Sequence, residues 1–171
     1  MGLKFSGVNL ALAKSLSTMD LNRIRGTANY QFKGDIGAAL FPDGVRLTHS
    51  RKTGRIRHIY LDGQMLSTLR PVDGMFSLTI AGARRLASLL KAPKLRVVVQ
   101  EDVRGFIAEG RNAFSRHVVM ADQNIKVGEE VIVTGEDDSI LAVGKALLTG
   151  REMLAFKRGI AVKVRKGIGE D

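Results

Sequence analysis

The chain has 171 residues, of which 44% are hydrophobic and 26% charged, a balance typical of a folded rather than a disordered protein. It contains no cysteine, which excludes disulfide bridges, thiolate nucleophiles and cysteine-bound zinc or iron–sulfur clusters. No apolar run approaches the ~20 residues of a membrane-spanning helix, so we expect no membrane partner. The formal net charge is +10, which makes nucleic acid the first partner to consider.

The first residues carry two patterns of targeting sequences, and both are incomplete. Gly2 lies in a match to the N-myristoylation pattern, but no second membrane anchor adjoins it. A signal peptide is disfavoured because the apolar stretch Val8–Ala13 is short and Lys14 follows at once. We expect residues 1–18 to form an extension or a short first helix.

The first half of the chain reads as helices, then strands, then a helix. Asp20 is placed to cap a helix in which Leu21, Ile24 and Ala28 share one face, and a second short helix is expected over residues 36–41.

Next comes a hairpin. The alternating runs 55–61 and 64–70 flank Asp62-Gly63, and an Asp-Gly pair favours a two-residue turn because both positions need positive φ. Residues 79–90 then have the apolar period of a helix. This order predicts a small α+β unit with an antiparallel sheet.

The positive charge is concentrated in this half. Residues 1–94 hold 15 Lys and Arg against five Asp and Glu, whereas residues 95–171 hold 12 of each. The charge changes at Lys91–Lys94, where Pro93 would end a helix before a run of valines. We therefore expect a domain boundary at about residue 93.

The second half predicts a compact barrel with little helix. A short helix over residues 102–109, with Val103, Phe106 and Ile107 at helical spacing, ends at Gly110, where a left-handed cap is expected. Thr149 and Glu152 have capping-box spacing. The strands are expected at residues 95–99, 118–120, 130–134, 140–147 and 160–165.

Several motifs in this half occur in the order typical of one family. They are Gly110-Arg111-Asn112-Ala113-Phe114, Val127–Val131, Leu141–Gly144 and Phe156–Arg165. Together they resemble the PUA domain, an RNA-binding β-barrel. In the first half, Lys52–Arg57 and Leu69–Phe76 resemble the unit that precedes the PUA domain in archaeal archaeosine tRNA-guanine transglycosylases. The resemblance covers roughly residues 20–166.

The resemblance implies an α+β protein in which a small α+β domain over residues 1–93 is followed by a PUA-like β-barrel over residues 94–171. It also implies an archaeal, cytoplasmic setting. The family enzymes exchange a guanine in the tRNA D-arm, using a TIM-type barrel with a nucleophilic Asp and a cysteine-bound zinc. Such a barrel needs at least ~200 residues. This chain is too short and has no cysteine, so it resembles only the tRNA-holding portion, and we expect no catalytic activity.

No other constellation of side chains predicts catalysis, a cofactor or a metal. Ser115 and His117 would share one side of a strand, but no acid is evident to orient the imidazole. The acidic run 136–138 is more typical of a solvated turn than of a cation site. His49 and His58 lie among arginines and a lysine, which oppose metal binding.

The first candidate RNA contact is the loop that follows the short helix. Gly110 would let the RNA backbone approach, although plain capping of the helix explains this glycine equally well. Arg111 and Arg116 would contact phosphates, and Asn112 a base edge or a ribose 2′-hydroxyl. Phe114 is either a stacking platform or core, and for a lone Phe in a small barrel we expect core.

Two further basic clusters are candidates. Alternation along the last strand puts Lys163 and Arg165 on its solvent side, which is either an RNA contact or an ordinary solvated face. The first domain has a basic ribbon, which could contact phosphates, serve solubility or dock an acidic partner protein. The candidates in these two clusters are Lys157, Arg158, Lys163, Arg165 and Lys166, and then Arg51, Lys52, Arg55 and Arg57.

Three functions are compatible with these observations. The first is an RNA-binding protein that holds structured tRNA near the acceptor stem, for itself or for a separate modification enzyme. The second is a non-catalytic docking subunit that completes a split transglycosylase or another RNA-modification enzyme. An unrecognised enzyme ranks last because no nucleophile–base pair or metal set is present. We expect a monomer, since no heptad pattern occurs.

Overall fold

The computed structural model describes residues 17–170, so the expectations for the N-terminal extension, the myristoylation pattern and the signal peptide lie outside the described residues, apart from Ser17 and Thr18. By its contacts the chain divides into two compact units, one up to Gly82 and the other from Ala83 onwards. The boundary near residue 93 stays a prediction. Within residues 17–170 no helix combines the length and the apolar composition that crossing a bilayer requires.

The first helix, α1 (Thr18–Gln31), begins one turn earlier than predicted. Its cap is Ser17, whose extended backbone lets the hydroxyl oxygen accept a hydrogen bond from the Asp20 N–H at 3.0 Å. The prediction that Asp20 is the cap was therefore wrong, and its carboxylate instead lies 3.3 Å from His49. The predicted apolar face is confirmed at Ile24 and Ala28, which are buried.

The sheet of the first unit has four antiparallel strands in the order β1-β2-β3-β4. The strands are β1 (Arg46–His49), β2 (Ile56–Leu61), β3 (Gln64–Leu69) and β4 (Phe76–Leu78), with α2 (Gly37–Leu40) before them and α3 (Ile80–Leu89) after them. The predicted hairpin is confirmed, since Asp62 and Gly63 have φ of 49° and 80°. β1 and β4 were not predicted, because they are short and have no long alternating pattern.

Side chains from α1, from the end of α2 and from the sheet close the core of the first unit. The rings of Phe41 and Phe76 pack with their centres 5.1 Å apart. The Gln31 side chain donates to the Phe76 carbonyl at 2.9 Å and accepts from the Phe76 N–H at 2.6 Å. Gln31 thus pairs with the free backbone groups of Phe76 in β4, which lies at the edge of the sheet in the described part of the chain.

The second unit is a six-stranded near-barrel sheet in the order β6-β10-β9-β8-β5-β7. β5 and β8 pair in parallel, and the other pairs are antiparallel. The strands are β5 (Arg96–Val99), β6 (Ala113–Phe114), β7 (Val118–Ala121), β8 (Glu130–Thr134), β9 (Ile140–Ala146) and β10 (Ile160–Gly167), with two short helices, α4 (Arg104–Ala108) and α5 (Gly150–Ala155). Together the two units confirm the predicted α+β class.

Two local predictions in this unit are confirmed. Gly110 has a φ of 92° and its N–H donates to the Ile107 carbonyl at 2.9 Å, as expected of a left-handed cap. Thr149 and Glu152 form both hydrogen bonds of a capping box at the start of α5.

The glycine of the Leu141–Gly144 motif lets β9 and β10 lie close together. Gly144 pairs with Val164, and a Cβ at Gly144 would lie 2.3 Å from the Lys163 carbonyl oxygen. We expect Gly144→Ala to lower the free energy of unfolding by about 2 kcal/mol, because backbone must shift to admit the methyl group. Thermal unfolding measures this effect. Gly105→Ala is the matched control, since its Cβ meets nothing and a helical alanine is favoured. Equal melting temperatures for the two variants would contradict the prediction.

Candidate nucleic-acid interface

Pairing of β6 with β10 brings two separately predicted basic segments together. Phe114 pairs with Ile160, and the Ser115 N–H donates to the Gly159 carbonyl at 3.0 Å. As a result, the side chains of one predicted loop and those that precede β10 line a single cavity of about 320 Å³, which we call the β6–β10 pocket. It is lined by Phe114, Arg116, Lys157, Arg158 and Gly159.

Phe114 is not a core residue, and the prediction that it is was wrong. β6 is an edge strand of only two residues, of which Ala113 points into the core and Phe114 is 40% exposed. The Arg116 guanidinium lies 5.7 Å from the centre of the Phe114 ring, and His117 meets the ring edge-on at 6.1 Å. An exposed ring beside a cation can stack a base while the cation binds a phosphate.

The glycine of the predicted loop is covered by another part of the same unit. A Cβ at Gly110 would lie 2.5 Å from the Glu170 carboxyl group, which accepts a hydrogen bond from the Gly167 N–H. The capping role of Gly110 is confirmed. Its predicted close approach to RNA would require the Glu170 side chain to move.

The two residues after Gly110 have partners within the second unit. The Asn112 side-chain oxygen accepts from the Val164 N–H at 3.0 Å, which fixes the loop to β10 and leaves the amide N–H groups to meet a ligand. The Arg111 guanidinium lies 5.5 Å from the centre of the Phe106 ring. Phe106 is 53% exposed, although its helical spacing with Val103 and Ile107 suggested the apolar face.

The two predicted cations of β10 differ in their surroundings. Lys163 is exposed and lies directly opposite the exposed Lys145 of β9, a lysine that sequence reasoning missed because its position depends on strand register. Arg165 instead donates to both carboxylate oxygens of Glu130, at 2.7 and 2.6 Å. The predicted solvent-facing alternation is also interrupted by Ala161, which is buried.

The basic ribbon of the first unit is exposed as the sequence suggested. Arg51 and Lys52 lie in the turn between β1 and β2, Arg55 directly precedes β2, and Arg57 is the second residue of β2. Burial, and secondarily the Arg57 charge, lowers the pKa of His58 below its ordinary value of 6.5. His58 is therefore mainly neutral at pH 7 and adds little positive charge to the ribbon.

The acidic run 136–138 is held by hydrogen bonds and ion pairs. Hydrogen bonds from Ser139, and then the Arg104 guanidinium at 3.1 Å, lower the pKa of Asp137 to about 2. Asp138 lies 3.3 Å from Arg96. Among residues 17–170 no group of three potential ligands is placed to hold a metal ion.

Ser115 and His117 do not form a nucleophile–base pair. They lie in a 3-10 turn, where the Ser115 hydroxyl is buried and the His117 ring nitrogen Nε2 receives the Arg116 N–H at 3.2 Å. The pocket therefore offers cations and an aromatic face, which suit binding of a polyanion.

Comparison with known families divides the chain into two consecutive matches. Residues 22–93 match the patch-forming domain C2 of tRNA-guanine transglycosylase, and residues 95–168 match the PUA domain.

Relatives include the tRNA-guanine(15) transglycosylases of Methanothermobacter thermautotrophicus, 43% identical over 86% of this chain, and of Thermoplasma acidophilum, 41% identical over 97% of it. These matches cover 23% and 25% of the relatives, so the chain spans about a quarter of their length.

Solved structures of similar fold cover most of the chain. A hypothetical protein from Pyrococcus horikoshii has a TM-score of 0.71 and 25% identity, with 89% of this chain and 92% of that chain covered. A PUA-domain protein from Thermoplasma acidophilum has the same fold, with a TM-score of 0.65 at 20% identity over 91% of this chain and 93% of that one. The chain thus carries the C2 domain of tRNA-guanine transglycosylases over residues 22–93 and a PUA domain, which is an RNA-binding fold, over residues 95–168.

Proposed function

We propose that this chain is a monomeric RNA-binding protein, without catalytic activity of its own, that holds structured tRNA in its acceptor-stem region. The observation that carries the proposal is the β6–β10 pocket, which Arg116, Lys157 and Arg158 line together with the half-exposed ring of Phe114. Three cations beside an aromatic face combine the two groups that bind RNA without reading a long sequence, namely phosphate ligands and a stacking surface.

Other exposed cations of the second unit support the same proposal. Lys163 and Lys145 are exposed side by side on neighbouring strands, and Arg111 is exposed at the loop. Contacts between cations and phosphates are independent of base identity, so they favour recognition of tRNA shape. In this proposal Arg165 has its main contact with Glu130 and contributes little to RNA affinity.

Similarity to known proteins supports the choice of tRNA and of an archaeal setting. The relatives are archaeal enzymes named for tRNA-guanine transglycosylation, and this chain corresponds to only about a quarter of them. The hypothetical protein from Pyrococcus horikoshii, 92% of which is covered, supports the idea that a chain of about this extent folds without the rest of a transglycosylase. We place the domain boundary at about residue 93 and the protein in the archaeal cytoplasm, with a separate RNA-modification enzyme as its partner in the cell.

A second candidate function rests on an apolar groove in the second unit. A cavity of about 540 Å³ lies beside the edge strand β7, where the side chains of Val119 and Met120 are exposed next to Pro93 and Val98. An exposed apolar groove along the edge strand of a sheet is a common protein-docking surface. It favours a docking subunit that completes a split transglycosylase or another RNA-modification enzyme.

A binding titration separates the two functions. The purified chain is titrated with total tRNA, with an unrelated duplex RNA and with single-stranded RNA, each at two salt concentrations. Our proposal expects tRNA to bind more tightly at both concentrations. If all three RNAs bind alike and dissociate together at moderate salt, the affinity is general polyanion attraction, and the docking subunit becomes the better explanation.

A further inference from the structure

One end of the sheet in the first unit carries two hairpin loops of the same construction. Residues 50–55 join β1 to β2, and residues 70–75 join β3 to β4, so both loops project from the same end of the antiparallel sheet. In each loop the glycine N–H donates to the carbonyl of the first loop residue at 2.8 Å. The two glycines, Gly54 and Gly74, have φ of 68° and 71°. These loops and α1 enclose a cavity of about 780 Å³, which we call the twin-loop groove.

One side of the twin-loop groove is cationic. Arg55 and Arg57 line it from the first loop and β2, and Arg23 lines it from α1. Within residues 17–170 no carboxylate lies within ion-pair distance of these three guanidinium groups. Thr27 and Ser50 add hydroxyl groups to the lining. This side therefore has donors for an anion that the unit itself does not provide.

The side formed by the second loop is mainly apolar. Pro71, Val72 and Met75 line the groove from this loop, and Val72 is 97% exposed. The same loop also contributes Arg70 and Asp73 to the lining, and their guanidinium and carboxylate groups pair at 2.9 Å. An apolar side chain that is exposed at the tip of a loop can bury its surface against a ligand.

These two sides match the two halves of a nucleotide. Arginine binds phosphate through several donors at once, and an apolar surface covers the face of a base or ribose. In a paired duplex the bases are stacked inside, so a duplex can use only the cationic side, whereas an unpaired nucleotide can use both. The volume of the groove falls in the range of small-molecule sites, about 300–1,000 Å³.

We propose that the twin-loop groove binds an unpaired nucleotide of the RNA, with its phosphate on Arg23, Arg55 and Arg57 and its base against Val72 and Met75. This inference deepens the proposed function and rests on it, since the same RNA would occupy the β6–β10 pocket. An acidic peptide with apolar side chains offers similar chemistry, but the net charge of +10 and the adjoining RNA-binding fold favour RNA.

The test uses the full chain and two RNA probes with equal numbers of phosphates, a stem with a five-nucleotide unpaired loop and a blunt duplex. We expect Val72→Ser to weaken binding of the looped probe about fivefold, because the apolar contact is lost, and to leave the duplex unchanged. Arg55→Gln with Arg57→Gln should lower the salt slope for the looped probe by about 2. Val127→Ser is the matched control, since Val127 is 60% exposed in the second unit. Because Val72 is almost fully exposed, its replacement does not threaten folding.

Three results would overturn the inference, each in a recognisable way. If Val72→Ser leaves both probes unchanged while Arg116→Gln with Lys157→Gln weakens both, the groove is not an RNA site and the proposed function stands. If the unaltered protein binds neither probe, the proposed function fails together with the inference. If a peptide of glutamates and leucines binds with an affinity that Val72→Ser lowers, and the looped probe does not compete with it, the occupant is a protein.

Discussion

Neutralising two cations of the β6–β10 pocket, Arg116→Gln with Lys157→Gln, is expected to weaken tRNA binding about 100-fold. A hydrogen bond to a charged group contributes about 1.5 kcal/mol, and two such losses together correspond to roughly two orders of magnitude. The slope of log affinity against log salt concentration should fall by about 2, one for each phosphate contact. A filter-binding or fluorescence titration at several salt concentrations measures both quantities.

The control for this experiment removes the same charge from the same unit. Lys126 and Arg151 are exposed and do not line the pocket, so Lys126→Gln with Arg151→Gln gives an equal net charge. We expect this variant to lose less than fivefold in affinity, since only long-range attraction changes. If both double variants weaken binding equally, the pocket has no special role and the net charge of the chain accounts for the affinity.

The features that the sequence predicted correctly are those fixed by a few neighbouring residues. The turn at Asp62-Gly63 requires positive φ at both positions, and Gly110 requires it at one. The capping box of Thr149 and Glu152 needs only two side chains one turn apart. Each of these depends on the backbone geometry of a single turn, which residue types restrict directly.

The features that could not be predicted from the sequence depend on strand register and on which strands lie at the edge of a sheet. Phe114 is exposed because β6 lies at the edge of its sheet and is only two residues long. Lys145 joins the basic surface only because β9 aligns it with Lys163. Nothing in the local pattern around either residue indicates which strand lies beside it.

The cap of α1 shows a different kind of miss. Ser17 and Asp20 are both favourable capping residues, and they lie one turn apart. Propensity alone does not choose between them. In the structure the Asp20 carboxylate lies beside His49, which is remote in sequence, and Ser17 caps the helix. The local pattern does not contain this tertiary contact.

The second large effect is expected from replacing Arg165, which should lower the stability of the protein rather than its affinity for RNA. The Glu130 side chain is only 1% exposed, and both of its carboxylate oxygens accept hydrogen bonds from Arg165. Removing the guanidinium leaves a buried carboxylate without this compensating charge, which costs about 3 kcal/mol. Arg165→Met should therefore lower the melting temperature by about 9 °C.

The second replacement, Glu130→Met, distinguishes this explanation from loss of packing. Apolar residues in place of both partners remove the buried charge, so Arg165→Met with Glu130→Met should recover most of the lost stability. Thermal unfolding of the two variants measures the recovery. A double variant no more stable than Arg165→Met alone would show that the ion pair is not the cause.

RNA affinity at a temperature where every variant is folded decides between the two roles of Arg165. Because its guanidinium is already bound to Glu130, Arg165→Met should change tRNA affinity less than twofold. Lys163→Met, two residues earlier on the same strand, is the comparison, since Lys163 is exposed and should lose affinity without losing stability. If Arg165→Met keeps its melting temperature and weakens tRNA binding as Lys163→Met does, then Arg165 is a phosphate ligand, and Glu130 positions it on the RNA-binding face of β10.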